Sequence, residues 1–286
     1  MKNIVLYLVT SLLAVSLFSC KSDSGSSIPP PRDYAEQYAT EIIIIEEYLA
    51  THFLDGNDYN ANISKIPDGG SQLPLSEHPD LMYKIVNKHD IEYRLYYLKL
   101  DEGINERPSH VDSIYVSYKG WLTDGTLFDS SPNSNWLTLD EVIEGWTQVF
   151  PEFKTGEYDS SSDTFNNSGT GFVFIPSGLG YYNTTRPKIA AYSPLVFSFN
   201  LNTLRYRDHD RDGIQSRFEV ENLGDDPRQY DTDGDGITNY LDIDDDGDGF
   251  TTKGEITDEN GDIYPFDEIP TCPGGTLKKH LDPSCH

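Results

Sequence analysis

The sequence predicts an α+β protein carrying an acidic C-terminal extension, and three observations lead there. Apolar residues recur at helical spacing over only two stretches, 33–53 and 139–150; a period of two takes over from Glu92; and an aspartate-glycine pattern repeats from Asp208 onward. One helix standing among several strands is the mark of α+β architecture, since a parallel α/β sheet would alternate the two. The 286 residues suffice for one or two domains with a core. A formal charge of −27 argues against nucleic acid as a partner and favours divalent cations.

Residues 1–20, MKNIVLYLVTSLLAVSLFSC, combine Lys2 with an apolar run from Ile4 to Phe18, a secretory signal too short to span a bilayer comfortably. The end, Leu17-Phe18-Ser19-Cys20, resembles a bacterial lipobox, which implies lipidation of Cys20; ordinary secretion with an incidental cysteine is the alternative. Residues 21–32, KSDSGSSIPPPR, are too polar and proline-rich to bury a core and read as a tether. The expected location is therefore the bacterial cell envelope, with the chain lipid-anchored at the outer membrane on its periplasmic or its outer face.

Asp33 followed by Glu36 forms a capping box, and Tyr34, Tyr38, Ile42, Ile45 and Leu49 recur at helical spacing, so a helix is expected from Asp33 to Phe53. Its run Ile42–Ile45 makes a wide apolar surface that should dock on the following domain, or else on a partner chain. Residues 55–90 are turn-rich and carry no period, so 33–90 reads as a helical and irregular segment. From Glu92, EYRLYYLKL and SIYVSYKGWL read as strands, Asp124-Gly125 as a turn into TLFDSS, residues 139–150 as a short helix, and FVFIPSG and PLVFSFNL as further strands. Between Lys154 and Gly171 a polar insertion reads as an exposed loop.

Within residues 91–203, four motifs stand in a specific order: VSYKGWLTDGTLFDSS, VIEGW, IPSGLGY and SPLVFSFNL. Together they resemble the FKBP-type peptidyl-prolyl cis-trans isomerases. The resemblance implies a curved antiparallel sheet wrapped on one helix, with a pocket made by Tyr118, Phe128, Asp129, Val142, Ile143, Trp146, Tyr181, Ile189 and Phe197. It implies further that Trp146 forms the floor and that Tyr181 hydrogen-bonds a substrate carbonyl. Read without it, Tyr118, Phe128 and Phe197 on their strands are better taken as core filling. YYNTTRPKIAAYSP departs from the family pattern, and Trp136 and Leu137 lie where another aromatic pocket residue is expected. An X-Pro bond isomerises against a barrier of roughly 18–20 kcal/mol without making or breaking a covalent bond, so catalysis calls for no cofactor.

Residues 204–270 contain three loops with oxygen donors at alternate positions, a glycine at the sixth and a carboxylate at the twelfth, which is what calcium requires. They comprise Asp208, Asp210, Asp212 and Glu219; Asp231, Asp233, Asp235, Asn239 and Asp242; and Asp244, Asp246, Asp248, Thr252 and Glu255. Asp231 and Asp244 stand too close for flanking helices, and Ile214, Ile237 and Phe250 follow the glycines, a pattern that resembles thrombospondin type 3 repeats. A solvated acidic linker is the alternative. Asp258, Asn260 and Asp262 begin a partial fourth copy. In the tail 271–286, Cys272 and Cys285 read most economically as one disulfide in an exported protein.

The function expected from the whole is isomerisation at proline bonds of exported polypeptides, by a membrane-anchored enzyme with a structural calcium module. A non-catalytic binding module with the same fold and a calcium-dependent surface adhesion protein are the alternatives.

Overall fold

A computed structural model describes residues 30–220 and 226–286; the signal segment, Cys20 and most of the tether lie outside these residues. Residues 32–286 form one compact unit. Helix α1 runs over Tyr34–Thr51, and the Asp33 side chain caps it by accepting the N–H groups of Ala35 at 2.9 Å and Glu36 at 3.1 Å. At His52 the backbone becomes extended and passes directly into strand β1 (His52–Asp55), which pairs with β2 (Asn62–Lys65).

The chain then forms β3 (Leu81–Lys88), β4 (Ile91–Asp101), β5 (Ser113–Leu122) and β6 (Leu127–Thr138). Helix α2 (Glu144–Val149), a hairpin of β7 (Glu157–Asp159) and β8 (Thr164–Asn166), and strands β9 (Gly169–Ile175) and β10 (Leu195–Arg205) follow. Six strands make one antiparallel sheet in the order β3-β4-β9-β10-β5-β6.

Three departures from the sequence reading have physical causes. The segment 55–90 is not irregular throughout: β3 pairs with β4 along its whole length, so the sheet begins before residue 91. Alternation is blurred there because β3 is an edge strand. Met82, Tyr83 and Ile85 are exposed, while Lys84 is drawn inward to Glu152 at 3.3 Å and to the Gln148 carbonyl at 3.3 Å. The polar insertion holds the β7–β8 hairpin, too short to show a period, whose two aromatic residues Tyr158 and Phe165 face each other across the strands at 5.2 Å. Finally, α2 is half the length expected, because residues 139–142 form turns and bends and the backbone at Ile143 is still extended.

All seven residues of β9 are buried, since the sheet is covered on both faces. Val173 and Ile175 pack with Trp146 and Val149 of α2 and with Phe150, Phe153 and Phe199. On the opposite face Phe172 and Phe174 pack with Ile45, Tyr48 and Leu49 of α1 and with Leu98 and Val196. Burying each such side chain contributes about 1.5–3 kcal/mol, which fastens α1 to the sheet. The apolar run of α1 is only half used: Ile43 and Ile44 remain 64% and 40% exposed.

Glu41 adds a polar tie within this apolar contact. Its buried carboxylate accepts the Ser177 N–H at 2.7 Å, the Ser177 hydroxyl at 2.5 Å and the Gln37 side-chain amide at 2.6 Å. Burial pushes its pKa above the usual range, and the Ser177 and Gln37 hydrogen bonds partly offset that. Glu41→Ala should therefore lower the unfolding free energy in urea by about 2–3 kcal/mol, because the Ser177 N–H is left buried and unpaired. A change under about 0.5 kcal/mol would show that the tie carries no stability.

Candidate functional site

The aromatic site is built where α2 meets the ends of β5 and β10. Trp146, 4% exposed, lies at its centre, with Tyr118 edge-on at 5.0 Å, Phe197 at 5.1 Å and Phe150 at 5.2 Å. Phe128 stands edge-on to Phe197 at 5.3 Å. Such edge-to-face pairs favour fixed ring orientations over loose packing. Two glycines make room. A Cβ on Gly120 would stand 2.6 Å from the Phe197 ring and 2.7 Å from that of Phe128, and one on Gly145 would meet the Ile175 side chain at 2.6 Å. Hence the glycines of KGW and EGW allow the rings and the helix to close in.

Each of the nine residues expected in the pocket belongs to this neighbourhood. Ile189 and Phe197 are buried in the same core as Trp146; Tyr118, Phe128, Val142, Ile143 and Tyr181 pack half-buried against it; and Asp129 joins by accepting the Tyr118 hydroxyl at 2.9 Å. Leu137 also packs on the core, but Trp136 does not. It is 37% exposed, against Tyr115 at 5.2 Å and under the Arg205 guanidinium at 4.0 Å, because the alternation of β6 turns it to the other face.

Burial, and then the hydrogen bond and charge of Asp129, push the Tyr118 phenol up to about 12. Burial likewise raises Tyr181, with the nearby Arg186 charge acting the other way. Both phenols are consequently neutral donors at physiological pH. The buried Trp146 Nε1–H has no hydrogen-bond partner among the described residues, which leaves one more donor free for a bound group.

The C-terminal segment reaches the pocket helix at Glu144, in the first turn of α2. Arg228 binds both carboxylate oxygens, at 2.9 and 2.8 Å, and Lys88 binds the same group. Burial alone would raise the Glu144 pKa, but Arg228 and the hydrogen bonds from Lys88, Gln148 and Arg228 outweigh it and hold it near 2. No spacing in the sequence signals this contact, which joins residues 84 apart.

The three acidic loops share one hydrogen-bond scheme. The third-position carboxylate accepts the fifth-position N–H, at 3.2 Å in the first loop (Asp210 from Asp212), 2.9 Å in the second (Asp233 from Asp235) and 3.2 Å in the third (Asp246 from Asp248). The fifth-position carboxylate accepts the N–H of the apolar residue after the glycine: Ile214 at 2.7 Å, Ile237 at 2.7 Å and Phe250 at 2.8 Å. Each such bond curls the loop so that alternate carboxylates converge. Oxygens of Asp208, Asp210 and Asp212, of Asp231, Asp233 and Asp235, and of Asp244, Asp246 and Asp248 lie within 4.8 Å of one another in each trio.

Two expected ligands have other work. The Asn239 and Thr252 side-chain oxygens accept the N–H groups of Thr232 at 2.9 Å and Asp245 at 3.1 Å, and Ser216 does the same for His209 at 3.1 Å. At the ninth position these side chains therefore brace the start of their loop. Among the twelfth-position residues Glu219 and Glu255 are buried, with neither carboxylate oxygen partnered among the described residues. Asp242 is also buried, and accepts the Asp244 N–H at 3.0 Å. Asp258, Asn260 and Asp262 join no such trio among the described residues. Ile214 is buried with Ile256 and Ile269, whereas Ile237 and Phe250 are 47% and 48% exposed. A further carboxylate, Asp245, escaped the sequence reading because it falls outside the alternating positions; it lies within 4.8 Å of Asp212 and Glu219. Cys272 and Cys285 are joined by a disulfide.

Comparison with known proteins places residues 105–202 in the family model for FKBP-type peptidyl-prolyl cis-trans isomerase, and residues 209–279 match a model described as BamM C-terminal. The isomerase FkpA of Escherichia coli strain K12 is 35% identical over 112 residues, covering 37% of this chain and 36% of that one. The outer membrane protein MIP of Legionella longbeachae is 31% identical over 115 residues, 39% of this chain and 44% of that one. The FK506-binding protein of Neisseria meningitidis serogroup B is 34% identical over 87 residues, 29% of this chain and 69% of that one. The chain thus spans little more than a third of the FkpA relative but most of this smaller protein. The chain belongs to the family of FKBP-type peptidyl-prolyl cis-trans isomerases.

Proposed function

We propose that the chain catalyses cis-trans isomerisation at proline bonds of exported polypeptides, from a lipid anchor at Cys20 in the cell envelope. The observation that carries this reading is the Trp146 floor, walled edge-on by Tyr118 and Phe197, with its indole N–H unpartnered. A proline ring placed on that apolar surface leaves water, and its amide leaves with it. Resonance places negative charge on the amide oxygen, and twisting the bond destroys that resonance. A site that binds the twisted form better than either planar form lowers the barrier. The free N–H of Trp146 and the hydroxyl of Tyr181 are the donors available to hold the carbonyl groups of the substrate. The envelope location is supported by the name of the Legionella relative, an outer membrane protein.

The acidic loops are read as calcium sites that order the C-terminal module, with Asp208, Asp231 and Asp244 opening them. Hard oxygen donors in alternating carboxylate loops suit calcium. Support comes from buried carboxylate oxygens without partners on Asp210, Asp212, Glu219, Asp246 and Glu255, which a cation would satisfy.

In a proline-isomerisation assay on the calcium-saturated chain, Trp146→Ala should reduce kcat/KM roughly tenfold or more, about 1.4 kcal/mol in transition-state binding. Equal rates for the two proteins, or no acceleration by either, would leave a binding module as the better reading.

Thermal unfolding tests the calcium reading through its pH dependence. Burial, reinforced by neighbouring carboxylates, raises Asp212 to about 6, Glu255 to about 8 and Glu219 to about 11. These acids are favoured in the protonated form by the fold, so their contribution is fully present below the unfolded values near about 4 and is lost as pH rises through the folded ones. With a chelator present, Tm should fall from pH 5 to pH 9. Calcium needs the charged form and should raise Tm more at pH 8 than at pH 5. A Tm indifferent to both variables would rule out buried cation sites.

A further inference from the structure

Asp245 occupies the second position of the third loop, where the first and second loops carry His209 and Thr232. The side chain is 1% exposed and turned toward the first loop, where its oxygens lie within 4.8 Å of those of Asp212 and Glu219, themselves 2% and 5% exposed. Both oxygens of Asp245, both of Glu219 and Oδ2 of Asp212 lack any hydrogen-bond partner among the described residues. Protonated acids could share such a space only by hydrogen-bonding to each other or to a neighbour, and these oxygens do neither. Around a calcium ion, ligand oxygens stand about 2.3–2.6 Å from the metal, so oxygens that share one ion lie no more than about 5 Å apart, a limit that one oxygen from each of these three residues meets.

Resting on the calcium reading above, we propose that Asp245 is a ligand shared between loops: the calcium of the first loop is held by Asp212 and Glu219 from that loop and by Asp245 from the third. Asp212 also belongs to the trio with Asp208 and Asp210, so the first loop and Asp245 form one binding unit. The two loops already meet in apolar contact. Ile214 of the first packs with Ile256, directly after the last residue of the third, and with Ile269. Gly213 at φ +108 allows the approach, since a Cβ there would stand 2.7 Å from the Ile263 side chain.

This arrangement gives the ion a longer reach than one loop. The first loop is fixed to the isomerase domain just before it starts: the buried Asp112 carboxylate, which precedes β5, accepts the Arg207 N–H at 3.1 Å and the Ser109 N–H at 2.7 Å. The third loop leads into the disulfide-closed tail. A cation bound by both loops therefore fastens the distal part of the module to the domain, and its loss releases more chain than the loop that binds it.

The test is calcium titration of the calcium-depleted full chain by calorimetry, comparing the unaltered protein with Asp245→Asn, Asp212→Asn and Asp233→Asn. Asparagine keeps the shape of Asp245 and the bond from its N–H to Thr252. Asp245→Asn should weaken one class of sites about tenfold or more, the same class that Asp212→Asn weakens, while Asp233→Asn affects a different class. Terbium luminescence lifetimes supply a second measurement that does not rely on affinity, and an Asp245→Ala protein, which has no side-chain oxygen to offer, should show about one additional water on a bound ion. If Asp245→Asn titrates like the unaltered chain and Asp245→Ala adds no water while Asp212→Asn loses a class, the shared ligand is wrong and the calcium reading stands. If none of the three variants alters binding, the calcium reading itself falls.

Discussion

Strand β9 can be buried on both faces only if the chain supplies a cover for each, and most of the architecture answers to that requirement. On one side Val173 and Ile175 need α2 and the phenylalanines that follow it; on the other Phe172 and Phe174 need α1. Gly171 lets the Phe153 ring lie close against the strand, since a Cβ there would stand 2.9 Å from it. The same packing produces the site. Trp146 and Phe197 are members of the inner core, and Tyr118, Phe128 and Tyr181 lie half-buried at its edge. Core filling therefore does not exclude the binding role proposed for these rings, because a ring held rigidly by the core on one side is preorganised for a ligand on the other.

The acidic module solves the opposite problem. It has little apolar matter, mainly the cluster Ile214–Ile256–Ile269 together with Val220 and Tyr240, and many charges. Its loops are shaped by carboxylates that accept nearby backbone N–H groups, which satisfies one oxygen of each and aims the other inward. Inward aim without a counter-charge is costly, and under the calcium reading proposed above a bound cation would supply that charge. Attachment to the domain combines the packing of Val220 and Tyr240 on Val111 with a few paired groups, Arg228 on Glu144 and Asp112 on Arg207, and with His209 Nε2 3.5 Å from Asp140.

Much of this was legible in the sequence where a local rule applied. Asp33 announced the helix start, Asp124-Gly125 the hairpin turn, and the motifs from VSYKGW to SPLVFSFNL the sheet and the helix that packs on it. The alternating aspartates announced the loops. What escaped depended on partners distant in the chain. β3 was hidden because an edge strand exposes Met82 and Ile85 and buries part of a lysine, the reverse of the pattern that identifies a strand. Asn239 and Thr252 looked like ligands by position, but position does not reveal whether an oxygen faces the ion or a backbone N–H. Asp245 and the Glu144–Arg228 pair had no signal at all, since each acts outside its own local pattern.

The region matched by the family, residues 105–202, is smaller than the unit that the packing defines. Cut at residue 105, the chain would lose β4, and β9 would become an edge strand with its buried backbone groups unpaired along the Tyr96–Asp101 ladder. It would lose α1 as well, exposing Phe172 and Phe174 to water and freeing Ser177, the residue through which Glu41 holds the turn leading to Tyr181. The isomerase fold in this protein therefore extends back to Asp33. The N-terminal helix that lies outside the recognisable motifs is part of what holds the sheet and the Ser177 turn beside the candidate site in place.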